Sequence, residues 1–178
     1  PTAIDDVFFD ANSFTSADQT LTVDVNTAYC NTMNWSGVIN SPSFISSATS
    51  NTLKIYGSLI LSENMSIPYD GGISFASGSA GTTVATGDHL LSTAIEFNGP
   101  GRGWSMLDEL KTIKTITLNS GSLVSNSHNI QCFSFNSDNS NTRTLDLGAS
   151  ILEITNDDWQ YSWRVNESLV LSATNSII

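Results

Sequence analysis

The segment Ile116-Thr-Leu-Asn-Ser-Gly-Ser-Leu123 alternates apolar and polar residues on either side of a short Asn-Ser-Gly turn. Leu53-Lys-Ile-Tyr-Gly-Ser-Leu59 and Leu145-Asp-Leu-Gly-Ala-Ser-Ile151 repeat this arrangement elsewhere in the chain. A period of two residues, interrupted by glycine, asparagine and serine, is typical of short β-strands joined by tight turns. Helical periodicity is almost absent, so the sequence predicts an all-β fold.

Strands of this kind recur at a nearly regular interval. Their equivalent first residues are 32, 31, 32, 29 and 24 positions apart, and each follows a threonine or, in the last case, a serine. These first residues are Leu21, Leu53, Val84, Ile116, Leu145 and Leu169. A repeat that contains only strands and turns is typical of a β-solenoid, in which each coil stacks on the previous one.

We therefore expect a right-handed parallel β-helix or β-solenoid of about six coils of roughly 30 residues each, with residues 1–178 forming a single solenoid segment. A β-sandwich is the alternative, because it also consists of many short strands. A sandwich has no reason, however, to repeat its strands in groups of this length.

The composition agrees with many tight bends and excludes several partners. The chain has 28 serine, 19 threonine and 17 asparagine residues, which together make up 64 of its 178 residues, whereas charged residues make up only 13%. Seventeen acidic residues against six basic ones give a net charge of −11, which we interpret as a solubilising coat. Six cations cannot supply the basic surface that nucleic acids or acidic membranes require. No apolar run is long enough to predict membrane insertion.

The two ends suggest a piece of a longer polypeptide. The chain starts at Pro1 without methionine or a signal segment, and it ends on Ile177-Ile178 without a turn or a polar cap. Exposed terminal coils have unpaired edges. We therefore expect a fragment whose partners are neighbouring coils or domains of the same polypeptide.

Five segments, taken in order and spacing, carry a resemblance to known proteins. They are Pro1-Thr-Ala-Ile-Asp-Asp-Val-Phe-Phe-Asp-Ala-Asn-Ser-Phe14, Thr27-Ala-Tyr-Cys-Asn-Thr-Met-Asn-Trp-Ser-Gly37, Leu53-Lys-Ile-Tyr-Gly-Ser-Leu59, Gly99-Pro-Gly-Arg-Gly-Trp-Ser-Met106 and Asn141-Thr-Arg-Thr-Leu-Asp-Leu-Gly-Ala-Ser150. Together they resemble the β-helical repeat regions of very large surface proteins from gliding bacteria with type IX secretion, over nearly the whole chain. The resemblance implies a stalk or adhesin segment that is secreted or displayed on the cell surface.

Cys30 and Cys132 have two interpretations. They are 102 residues apart, which fits no zinc-binding pattern. In an exported protein they could form a long-range disulfide, and in the alternative they are buried free thiols. With His89 and His128 they complete a small set of reactive side chains, and no cofactor is expected.

Acidic residues suggest two kinds of site. Asp5, Asp6 and Asp10 are weak candidates for binding calcium, which prefers oxygen ligands. No calcium-binding repeat motif is present, so we favour a solvated acidic segment. Polysaccharide cleavage needs two carboxyl groups about 5–10 Å apart. The best local set for it is Glu96, Asp88 and Asp108, with Arg102 nearby. None of these lies in a catalytic motif, so we expect no enzyme activity.

Aromatic residues suggest a carbohydrate-binding surface, because flat rings stack on sugars. The candidates are Trp104, Trp159, Tyr161 and Trp163. In a strand, Trp159-Gln-Tyr-Ser-Trp163 would place three rings on one face, and such a face is more often core than a binding platform.

Paired threonines suggest a further possibility. Thr20 with Thr22 and Thr115 with Thr117 resemble the arrays of ice-binding solenoids, but other coils break the pattern. We therefore predict a non-catalytic structural or adhesive module that contacts neighbouring coils and surface glycans. The alternatives, in order, are a carbohydrate-binding module, and then a polysaccharide-degrading enzyme or an ice-binding solenoid.

Overall fold

The computed structural model of the protein describes residues 1–76 and 81–178, without the side chain of Trp159. Over these ranges the chain forms short β-strands and one four-residue helix, α1 (Trp159–Ser162). The strands, in chain order, are β1 Val7–Phe8, β2 Thr20–Val23, β3 Thr27–Cys30, β4 Met33–Asn34, β5 Ser43–Ser46, β6 Thr52–Ile55, β7 Leu59–Ile60, β8 Gly72–Phe75, β9 Thr82–Ala85, β10 Leu90–Leu91, β11 Ala94–Met106, β12 Leu110–Thr112, β13 Thr115–Val124, β14 Ile130–Cys132, β15 Ser134–Ser137, β16 Arg143–Asp146, β17 Leu152–Ile154, β18 Trp163–Val165 and β19 Leu169–Ser172.

The strands form three parallel stacks, which we name face A, face B and face C. Face A contains two separate sheets, one of β2 and β5 and the other of β10, β12, β14 and β17. Face B contains β3, β6, β8, the first part of β11, the first part of β13, β15 and β18. Face C contains β1, β4, β7, β9, the last part of β11, the last part of β13, β16 and β19. The chain runs from A to B to C in each coil, and the pairs between strands are parallel.

These stacks make a parallel β-solenoid of about seven turns, so the predicted solenoid is confirmed. We number the coils from the N-terminus: coil 1 (β2–β4), coil 2 (β5–β7), coil 3 (β8–β9), coil 4 (β10–β11), coil 5 (β12–β13), coil 6 (β14–β16) and coil 7 (β17–β19). Strand β1 pairs with β4 and lies on the N-terminal side of coil 1.

The coils are shorter than the predicted 30 residues. On face B, residues that stack directly on one another are 19 to 28 positions apart. They are Ala28, Leu53, Ile73, Ile95, Ile116, Phe135 and Trp163. The first residues that the sequence made equivalent lie on different faces: Leu21 on A, Leu53 on B and Val84 on C. Three of the five steps, from Leu21 to Leu53, from Leu53 to Val84 and from Ile116 to Leu145, advance one coil and one additional face. Steps longer than one coil explain why the sequence predicts six coils instead of seven.

The core is a column of apolar side chains between the three faces. Successive coils contribute Ile55, Phe75 and Phe97 to one column of face B, and each is at most 1% exposed. The Phe75 and Phe97 rings stack with their centroids 4.9 Å apart and an angle of 6° between their planes. Alternation of side chains along each strand places these residues inside, while serine, threonine and charged residues lie outside or at the bends.

Tight turns connect face C to face A. At this corner the structure has residues with positive φ in several coils, including Gly87 (61°), Asn126 (51°) and Gly148 (53°). Glycine and asparagine adopt this conformation at little cost. The turns also bind the next coil, since Asp108 accepts hydrogen bonds from the amides of Thr86 and Gly87, both at 2.7 Å.

The C-terminal coil exposes core positions. Leu171 stacks on Leu145, which is fully buried, yet Leu171 itself is 42% exposed. Val170 and Ile177 are about 60% exposed. No helix within the described residues is long and apolar enough to cross a membrane.

Candidate functional site

A loop protrudes from the corner between faces B and C in coil 4. Strand β11 pairs with β13 at Asn98↔Ser120 and again at Gly103↔Ser122. Between these pairs β11 has four residues, 99–102, whereas β13 has only Gly121. The additional residues form a bulge that leaves the sheet and rejoins it. Such a bulge bends the strand that contains it.

Two glycines allow this loop to pack on coil 5. Gly121 has φ +85°, and a Cβ added there would overlap the carbonyl oxygens of Gly99 and Arg102. A Cβ on Gly103 would overlap the hydroxyl of Ser122. Since any side chain at either position would push the loop away, the glycines determine its position.

Cavities lie on both sides of the loop, and we name them together the loop groove. The first has a volume of about 410 Å³ and is lined by Gly81, Thr82, Gly101, Arg102, Gly103, Trp104, Ser105, Gly121, Ser122, Val124, Thr142, Arg143 and Thr144. The second, of about 510 Å³, is lined by Asn98, Pro100, Gly101, Ser120, Asn141 and Thr142. Gly101 and Thr142 line both cavities, so the two cavities adjoin each other at the loop.

The groove differs in charge from the rest of the molecule. None of the 17 acidic residues lines it, whereas two of the six cations, Arg102 and Arg143, do. Arg102 is exposed and has no hydrogen bond or ion pair with any residue that the structure describes. Its guanidinium group is therefore available to a ligand.

Arg143 is only 1% exposed and is held by neutral acceptors. Its Nε and Nη2 donate to the carbonyl of Ser137, at 3.2 and 2.5 Å, and its Nη1 donates to the carbonyl of Asn141 at 2.6 Å. Nη2 also donates to Oδ1 of Asn166 in coil 7, at 2.6 Å. Within the described ranges no carboxylate pairs with this guanidinium. Its positive charge thus remains beneath the groove without neutralisation.

Arg143 belongs to a series of hydrogen bonds that links coils 3 to 7, which we name the polar spine. It consists of Ser74, Glu96, Asn119, Asn141, Arg143 and Asn166. Ser74 and Asn119 donate to the two oxygens of Glu96, and Asn141 donates to the Asn119 carbonyl at 2.9 Å. The bond between Arg143 and Asn141 lies within coil 6, and the other bonds of the spine cross from one coil to the next. Polar side chains at this corner therefore connect the rod along its axis.

The predicted aromatic surface does not form. Trp104 is fully buried against Phe97, with ring centroids 5.2 Å apart, so its prediction as a surface residue is wrong. Residues Trp159–Ser162 form a helix instead of a strand, because Asp158 caps it by accepting the amide of Gln160 at 3.1 Å.

Consequently, the alternating strand face predicted for the three rings is also wrong. Tyr161 is 57% exposed on the helix, whereas Trp163 is half-buried and stacks on Phe135 at 5.1 Å. The side chain of Trp159 lies outside the part that the structure describes.

Glu96 does not lie with the other two carboxylates suggested for catalysis. Glu96 lies on face B, in the polar spine, whereas Asp108 and Asp88 lie at the corner between faces C and A. Asp108 is engaged by the Thr86–Gly87 turn, and Asp88 accepts the Glu109 amide at 3.3 Å. Each acid therefore has a bond that connects neighbouring coils.

The N-terminal aspartates are likewise engaged separately. Hydrogen bonds from the Thr2 hydroxyl and amide lower the pKa of Asp5, and the Asn12 amide with the Ser13 hydroxyl lowers the pKa of Asp10. Asp6 accepts bonds from the Asn31 side chain and the Thr32 amide. No group of acidic, histidine or cysteine residues in the described ranges could hold a metal ion. The calcium prediction is therefore not supported by these side chains.

The two cysteines are free and buried. Cys30 lies in coil 1 and Cys132 in coil 6, so five rungs of about 4.8 Å put roughly 24 Å between them along the axis. A disulfide needs Cα atoms less than about 7 Å apart, so of the two interpretations the disulfide is wrong. Burial raises the pKa of Cys30 to about 11 and that of Cys132 to about 12, which keeps both thiols protonated and unreactive.

The threonine pairs do not form one array. Thr20 and Thr22 lie on face A of coil 1, whereas Thr115 and Thr117 lie on face B of coil 5. On the outer surface of face B, Thr117 stacks on Glu96 and Ser74. The flat surface that ice binding needs is therefore interrupted.

Sequence reasoning named the loop and Arg102 but not the groove around them. The available signal was the run Gly99-Pro-Gly-Arg-Gly103, which is rich in residues that leave a regular strand. Thr142 and Thr144 reach the same groove only because coil 6 stacks on coil 5. Comparisons with models of protein families, with curated proteins and with solved structures find no match to this chain.

Proposed function

We propose that the chain is a non-catalytic structural or adhesive module, a stalk or adhesin segment of a secreted or cell-surface bacterial protein. The observation that carries this proposal is the use of polar side chains as links between coils. Glu96 and Asp108 both accept two or more hydrogen bonds across a coil boundary. Carboxylates held in this way stiffen the stack instead of forming a paired acid and base.

Neighbouring coils or domains are the partners that the end of the stack favours. Leu171 and Ile177 expose apolar surface on the last coil, and β18 and β19 have unpaired edges on their outer sides. A further parallel coil or domain would cover both, as each coil covers the previous one.

An assay with polysaccharides tests the non-catalytic part. The protein is incubated with neutral and acidic polysaccharides, and new reducing ends are measured beside a Glu96→Gln/Asp108→Asn double variant. We expect the native protein to release no more reducing ends than the variant. Faster release by the native protein would overturn the proposal.

Antibody labelling tests the location. An antibody raised against residues 1–178 is expected to label intact cells of the source organism, or to detect the protein in the medium. Labelling that requires cell lysis would contradict export.

A further inference from the structure

We propose that the loop groove binds an acidic saccharide, a sugar chain that carries carboxylate or sulfate groups. This inference rests on the adhesive part of the proposed function, and it names the ligand class and the residues that contact it. It uses neither the aromatic residues nor the carboxylates that the sequence suggested.

The positive charge around the groove favours an anionic ligand. Arg102 is exposed and unengaged by described residues, and the buried Arg143 lies below it without a carboxylate partner. The net charge of −11 opposes the approach of an anionic polymer, but at physiological ionic strength charges farther than about 8 Å are largely screened. The local guanidinium groups therefore dominate inside the groove.

The hydroxyl groups in the walls of the groove favour a ligand that itself has many hydroxyl groups. Gly103, Ser122 and Thr144 stack in register on successive coils, about 4.8 Å apart, and point outward. Ser122 and Thr144, together with Ser105 and Thr142, form a surface of hydroxyls, each of which can donate and accept a hydrogen bond. Sugar hydroxyls have the same dual character.

Binding is measured by titration calorimetry with matched probes. Oligogalacturonate is compared with its methyl ester, and dextran sulfate with dextran, so that carboxylate and sulfate are tested separately. We expect at least one acidic probe to bind at least about tenfold more tightly than its neutral partner, because a hydrogen bond to a charged group contributes about 1.5–3 kcal/mol.

Two variants locate the site. Arg102→Ala is expected to weaken acidic binding about 10- to 100-fold, and Thr144→Tyr is expected to fill the groove and weaken it comparably. Lys114→Ala is the control, because it removes the same charge from an exposed residue outside the groove. Circular dichroism and melting temperature establish that each variant is folded.

The inference fails if neither acidic probe binds, if the neutral partners bind equally, or if Lys114→Ala weakens binding as much as Arg102→Ala. These outcomes leave the non-catalytic structural role intact, since only reducing-end release overturns that role. The two proposals can therefore fail independently.

Discussion

Replacement of Arg143 by methionine tests whether the polar spine stabilises the stack. Methionine retains much of the length of arginine but none of its donors. The Ser137 and Asn141 carbonyls and Oδ1 of Asn166 would lose their bonds of 2.5–3.2 Å to the guanidinium. These acceptors lie at a corner where Arg143 itself is 1% exposed.

The magnitude follows from these acceptors. A buried polar group without a partner costs about 1–3 kcal/mol, and this cost applies to the carbonyl of Ser137, which is fully buried, whereas Asn141 is exposed and its carbonyl can bond water. Removing a buried charge that has no carboxylate partner offsets part of that cost. We expect a net destabilisation of about 2 kcal/mol, which for a chain of this length lowers Tm by roughly 4–8 °C.

Denaturant unfolding and differential scanning calorimetry measure this difference. Arg164→Met is the matched control: it makes the same substitution one coil later, where Arg164 pairs with Asp138 at 3.6 Å and both side chains are about 45% exposed. An exposed pair contributes about 0–1 kcal/mol. If Arg143→Met is no more destabilising than Arg164→Met, the buried bonds of Arg143 do not stabilise the stack.

Three further sets of substitutions test the loop, the core and the buried thiols. Gly121→Ala should destabilise the fold by about 2–5 kcal/mol, because Gly121 has a positive φ and a Cβ there would overlap the loop. Gly101→Ala should cost about 1–2 kcal/mol, because Gly101 has φ +70° but no atom lies within 4 Å of the added Cβ. Equal losses of stability in denaturant unfolding would refute the packing argument. Phe97→Ala should cost about 3–5 kcal/mol, and the exposed Phe133→Ala less than about 1 kcal/mol, as measured by the same unfolding assay; a similar cost for both would contradict the assigned core. Above pH 9 the thiols of the unfolded chain ionise, whereas in the folded protein Cys30 and Cys132 stay protonated until about pH 11 and 12. The folded state therefore binds more protons in this range, and the free energy of unfolding should fall as pH rises, by up to about 1.4 kcal/mol per pH unit for each thiol. The Cys30→Ala/Cys132→Ala variant should flatten this decline, and an unchanged slope would refute it.

Much of the fold could be predicted because its signals are local. Period-two alternation and turn residues in Ile116–Leu123 specify two strands and a bend, and the structure places them on faces B and C of one coil. Leu53–Leu59 makes the same passage in coil 2. Leu145–Ile151 has a similar residue pattern but passes from face C to face A. The pattern specifies a strand and a turn, and it does not specify which two faces the turn joins.

The sequence by itself therefore determined an all-β chain of stacked coils, since alternation and turn chemistry act between neighbouring residues. Only the tertiary structure decided which residues stack, because register depends on contacts between positions 19 to 28 residues apart. Trp104 became core and Arg143 became a buried link by this stacking. The loop groove arises in the same way: four residues of one coil face a single glycine of the next, and this mismatch exists only once the coils are stacked.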